Sequence, residues 1–173
     1  MSGDLSVILW WNGPRGGDIH DPSLADIERV VSSLDGISAD ECGILVETPT
    51  APVATMVVGG GLEGRLTVQW QWYGPDDWNN DVVMLVDRSQ GDRMFANVTG
   101  GQKSDMLGRL SVPRAVALGA VRRFTETRQL DDGLDWDFVP AVPGVARELS
   151  RAEVQAISER MVQKLLISPT RDR

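Results

Sequence analysis

The sequence predicts an α+β fold: an antiparallel sheet of about five or six strands packed by two helices, plus a C-terminal helix. Three observations carry this. Residues 65–73, RLTVQWQWY, set Leu66, Val68, Trp70 and Trp72 on one side of a period of two and Thr67, Gln69 and Gln71 on the other. The run DPSLADIERVVSSLDG spaces Leu24, Ile27, Val30, Val31 and Leu34 as one face of a helix. In VPRAVALGAVRRFTET, Val116, Ala117, Ala120, Val121 and Phe124 do the same.

The other elements follow from local chemistry. Residues 5–12, LSVILWWN, are β-branched and aromatic and stop at Asn-Gly-Pro, which predicts a strand; residues 13–21 then read as a loop. Ser23 stands three residues before Asp26 and Pro22 lies at the first turn, so the first helix opens on a capping box, with Gly36 placed to end it. Residues 43–48, 53–58 and 65–73 are strands separated by Pro- and Gly-bearing turns, an antiparallel meander. Residues 82–87 and 93–98 extend that series through a turn at Gln90-Gly91-Asp92. Gly59-Gly60-Gly61 reads as a turn between strands and Gly100-Gly101 as a strand exit.

Pro113 opens the second helix, which is expected to run to about Arg128. Residues 139–149, with Pro140, Pro143 and Gly144, read as a linker. A third helix starts at Ser150, capped by Glu153, and Val154, Ile157, Met161 and Leu165 give it a face that should dock. The expected organisation is one domain over residues 1–138, with residues 139–173 a linker and a C-terminal helix docked on it.

Charge and composition bound the function. The net charge of −8 divides unevenly: residues 1–87 hold 14 acids against 3 bases, and residues 88–173 hold 11 acids against 14 bases. An acidic body does not suit direct nucleic-acid binding, which needs clustered Lys and Arg, but suits a partner that is itself basic. The lone Cys42 forms no internal bridge, which fits a reducing cytoplasm. The N-terminal apolar run is too short for a signal peptide or a span, and nothing later reaches about 18 apolar residues.

Reactive groups are sparse. His20 lies between Asp18 and Asp21 without a Ser or Cys nucleophile motif and reads as a solvated loop histidine. Cys42 reads as buried filler. One His and one Cys do not make a zinc site, and the glycine runs lack the Lys-Ser/Thr of a phosphate-binding loop. Two acidic runs hold a tryptophan: Asp76, Asp77 and Asp81 flank Trp78, and Asp131, Asp132, Asp135 and Asp137 surround Trp136. Neither has calcium-loop spacing. Carboxylates steer a basic partner and exposed indoles supply contact area, so both runs are candidate binding loops, whereas Trp136 is better read as packed under the helix. No catalytic residue, metal ligand or cofactor is expected.

The segments DPSLADIERVVSSLDG, MVVGGGLEGRLTVQW, NVTGGQ and LSVPRAVALGAVRRFTETRQLDDGLDWDF together resemble the first-numbered family of bacterial immunity proteins, the antidotes of polymorphic toxin systems. This is the family that contains an inhibitor of a deaminase toxin. The resemblance covers roughly residues 18–138, about 120 of 173, and consists of helix, strand and glycine pattern; the third helix has no counterpart in it, and the loop around Trp78 looks particular to this chain. It implies a non-catalytic cytoplasmic protein that binds its cognate toxin domain and occludes the active site, the toxin being a nucleic-acid-targeting deaminase or nuclease. No membrane or direct nucleic-acid contact is implied, and the free protein would be a monomer or homodimer. The resemblance carries over no catalytic residue. The candidate toxin-binding residues are Trp72, Tyr73, Asp76, Asp77, Trp78, Asn79 and Asp81 on one side and Asp131, Asp132 and Asp135 on the other. Two other classes compete: a regulatory or self-associating module using the third helix, and a small hydrolase using His20.

Overall fold

The fold was taken from a computed structural model, which describes residues 5–49, 51–73, 82–139 and 146–167. The α+β class holds. Among the described residues a nine-stranded antiparallel sheet and a separate two-stranded one are accompanied by three helices.

The sheet starts with β1 (Ser6–Trp11), the strand expected over residues 5–12, which forms a hairpin with β2 (Gly17–His20) in the region read as a loop. That strand was invisible to periodicity because GDIH has one apolar residue and lies at an exposed sheet edge. Helix α1 (Leu24–Ser33) follows, and its capping box forms as expected: Asp26 N donates to Ser23 Oγ at 3.2 Å and Ser23 N donates to Asp26 Oδ2 at 3.1 Å. Its C-cap is Leu34 in extended conformation rather than Gly36, which takes its positive φ of 71° in the turn beyond.

Strands β3 (Glu41–Thr48), β4 (Ala51–Gly60), β5 (Arg65–Trp72) and β6 (Val82–Leu85) form the expected meander. Its continuation departs from expectation. β7 (Met94–Thr99) leaves the main sheet and pairs with β8 (Gln102–Leu107). Gly100 and Gly101, at φ of 58° and 75°, make the two-residue turn between them instead of a strand exit. β8 escaped prediction because QKSDML is polar and mostly exposed, leaving no apolar alternation to see.

The short β9 (Val112–Pro113) pairs with the start of β5 and leads into α2 (Arg114–Thr127). Strand β10 (Trp136–Val139) pairs with β6, and β11 (Arg147–Leu149) stands where a linker was expected and pairs with β10. Its three residues alternate too briefly to be read as a strand. Helix α3 (Arg151–Ile167) is capped by Ser150, whose hydroxyl accepts from Glu153 N at 3.3 Å. The sheet order is β11-β10-β6-β5-β4-β3-β1-β2, with β9 beside β5.

One apolar core joins the sheet to its helices. Leu9, Ile44, Met56 and Val68 meet Ile27, Val30 and Val31 of α1, Ala117, Ala120, Val121 and Phe124 of α2, and Val154 and Met161 of α3. Leu165, expected on the same face of α3, lies outside the described side chains. Arg114 fastens the first two helices. Its Nη1 donates to Val31 O at 2.8 Å, which also accepts from Leu34 N, and its Nη2 to Leu34 O at 2.6 Å, so it binds carbonyls at the C-terminal end of α1.

Candidate protein-binding site

The residues singled out from the sequence fall into two groups, and the sheet sets them apart. Trp72 ends β5 opposite Ala54, and Tyr73 N donates to Val53 O at 2.9 Å. Trp72 is half-buried and packs against the core, and burial raises the Tyr73 phenol above its ordinary pKa. Asp76, Asp77, Trp78, Asn79 and Asp81 belong to the segment between β5 and β6 and lie outside the described residues.

Asp131, Asp132 and Asp135 occupy the turn between α2 and β10, and two of them hold the fold together. Asp131 Oδ1 accepts from Gly133 N at 2.9 Å, and its carbonyl accepts from Trp136 Nε1 at 2.9 Å. Asp132 Oδ2 accepts from Gln155 Nε2 at 2.6 Å and so ties the turn to α3. Asp135 is exposed. Trp136 is fully buried, in line with the reading that it packs inside rather than in a binding loop. Asp137 is not a solvated loop acid: its side chain is 2% exposed and accepts from Arg88 Nη2 at 2.9 Å.

Register separates the groups. Val82 of β6 faces Val139 of β10, whereas Leu85 faces Trp136. The Trp72–Tyr73 end and the Asp131–Asp135 turn therefore stand beyond opposite ends of β6, more than about 15 Å apart along the strand direction. They do not form one loop cluster.

The remaining reactive groups are unremarkable as chemistry. His20 sits exposed on the edge strand, its Nε2 3.5 Å from Asp18 Oδ2. Cys42 is buried, and loss of hydration, with the neighbouring Glu41 charge second, pushes its thiol up to about 12. Among the described residues no set of His, Cys, Asp and Glu is grouped to hold a metal ion. A polar hollow of about 240 Å³ between α2 and α3 has Arg123, Asp132 and Glu159 on its wall, so acids outnumber the base.

The glycine-rich segments behind the family resemblance lock onto each other. Gly60 has a φ of 95°, and a Cβ there would stand 2.6 Å from Asn97 Oδ1 of β7. Gly101 N donates to Asp40 Oδ2 at 2.8 Å, and Thr99 lies over Gly59. GGG and NVTGGQ thus dock the β7–β8 hairpin on the end of the main sheet, a framework task.

Sequence reasoning overlooked the sheet face that carries no helix among the described residues, where Trp10 and Leu45 stand. A signal was present. In LSVILWW both phases of the alternation are apolar, the mark of a strand with apolar surface on two sides. No protein-family model matches this chain, and no curated protein is significantly similar to it. No helix among the described residues is long and apolar enough to cross a membrane.

Proposed function

We propose that this protein is an immunity protein: a cytoplasmic antitoxin that binds its cognate toxin domain, a nucleic-acid-directed deaminase or nuclease, and occludes its active site. The observation that carries the reading is the charge division. The 14 acids and 3 bases of residues 1–87 make the half of the chain that supplies β1 to β6 strongly acidic, with Asp18, Glu41 and Glu47 on the strands themselves and most of the others in α1 and the connecting segments. A domain that acts on nucleic acid presents a basic cleft, and an acidic half-chain competes for it as the phosphate backbone would. The four-segment resemblance to immunity proteins supports the same reading.

The test is co-expression with the toxin domain of a large secreted protein, sought first in the neighbouring reading frame, whose absence there would itself count against the proposal. The expected outcome is rescue of growth and a one-to-one complex of nanomolar affinity that weakens with added salt. No rescue and no complex at micromolar concentration would overturn the proposal.

A further inference from the structure

We infer that the helix-free face of the main sheet, centred on Trp10, is the surface on which the basic partner docks. This rests on the functional reading above and adds a location to it.

Strand alternation defines the face. In β1, Val7 and Leu9 point into the core, which places Ile8 and Trp10 on the opposite side. Register then carries the pattern across five strands. One row of cross-strand neighbours runs His20, Ile8, Leu45, Thr55, Gln71, and the next runs Asp18, Trp10, Gly43, Val57, Gln69. At about 4.8 Å per strand step these rows are about 20 Å long.

The centre of this surface is apolar, and among the described residues no helix covers it as helices cover the other face. Ile8, Trp10, Leu45 and Val57 are partly exposed and stand outside the core cluster. Trp10 lies across Gly43, where a Cβ would stand 2.5 Å from indole atoms, so the missing side chain is what lets the ring lie flat. The β7–β8 hairpin and the Arg88–Asp137 pair cover neighbouring parts of the same face, over Gly59 and beside Met84, and stop short of Trp10.

Charge selects the occupant. The charged residues at second-face positions of β1 to β5 are Asp18, Glu41, Glu47 and Arg65. Arg65 is engaged by Asp87 Oδ2 at 2.8 Å and by Ser111. An aromatic-aliphatic centre with a carboxylate rim is the anatomy of a protein interface, and here it is complementary to a cationic one. A second copy of this chain would bring the same carboxylates against themselves.

The experiment compares three variants for binding, by calorimetry, to the toxin domain that the wild-type protein neutralises, with melting temperature recorded for each. Leu45→Arg places a cation in the apolar centre and is expected to weaken binding at least 100-fold. The double change Asp18→Lys with Glu47→Lys is expected to weaken it about 10-fold and to flatten its salt dependence. Glu126→Lys, a reversal of the same sign on the exposed side of α2, should leave affinity within about twofold. Unchanged affinity in a folded Leu45→Arg protein would overturn the inference while the functional reading survives. The inference also falls if Leu45→Arg turns a free dimer into a monomer without changing toxin affinity. Should wild type bind no toxin domain, the functional reading falls first and this location with it.

Discussion

Buried Asp137 of β10 and half-buried Arg88, which follows β6, form an ion pair, Nη2 to Oδ1 at 2.9 Å, with Arg109 Nη1 3.7 Å from the other carboxylate oxygen. The pair pins the excursion between β6 and β9 against β10. Without it the β7–β8 hairpin would be tethered mainly through Asn97, Thr99 and Gly101.

Replacing Asp137 by Ala should therefore destabilise the protein by about 2–3 kcal/mol. A fully buried pair losing one partner costs about 3–5 kcal/mol, and here the two guanidinium groups keep some access to water. Asp137→Asn, which keeps an acceptor, should cost about half as much. Urea denaturation of the three proteins measures the difference, and a loss under about 0.5 kcal/mol for the alanine variant would show the pair to be dispensable.

Much of this architecture was legible because the helices and the β3–β4–β5 meander bury one side of a periodic pattern. Ile27, Val30 and Val31, or Leu66, Val68 and Trp70, declare a core wherever it lies. What escaped was held by other forces. β2, β8 and β11 are short or polar strands specified by backbone pairing and, for β8, by the glycine turn at 100–101. The candidate site was less legible still. Asp131 and Asp132 look like interaction residues in a linear reading, but their carboxylates bond Gly133 and Gln155. The helix-free face is assembled from alternate residues of five strands, and no contiguous motif could announce it.

The contact between Gly60 and Asn97 makes the glycine irreplaceable. Gly60→Ala puts a methyl 2.6 Å from Asn97 Oδ1 and fixes an L side chain at a φ of 95°. A loss of about 2–3 kcal/mol is expected. The hairpin should loosen first, so amides of residues 95–98 should exchange faster than those of β5. Pairing the change with Asn97→Ala should recover the steric part but not the backbone part, a split that a double-mutant cycle reads directly.

Cys42 should be inert in the folded protein. Burial raises its thiol to about 12, so almost no thiolate exists at pH 8 and reagents cannot reach it. Ellman's reagent should modify less than a tenth of the thiol in an hour under native conditions and all of it within minutes in 6 M guanidinium. Rapid native labelling would mean that the β1–β3–β4 region opens readily.

Acid should unfold the protein through its turn and cap carboxylates. Asp35 accepts from Ser38 Oγ at 2.6 Å and from the amides of Ile37, Ser38 and Ala39, and these bonds hold its carboxyl well below the ordinary 3.8. Hydrogen bonds from Ser23 lower Asp26 in the same way, as those from Ser89 and Arg65 lower Asp87 and those from Ser150 and Arg147 lower Glu153. A carboxyl lowered in the native state binds protons less readily there than in the unfolded chain. Its stabilisation is present above the unfolded value near 4 and fades as pH falls through the native one. Glu41 acts in the opposite sense: burial, then the Asp40 charge, raises it, so its contribution is present below 4.5 and lost as pH rises. Four lowered groups outweigh one raised group, so the denaturation midpoint should fall steadily below about pH 4.5. Asp35→Ala should start less stable at pH 7 and lose stability less steeply from pH 4.5 to pH 2.5, because the unfolded chain no longer takes up that proton preferentially. Parallel slopes for the two proteins would show that the Asp35 turn has no part in the acid transition.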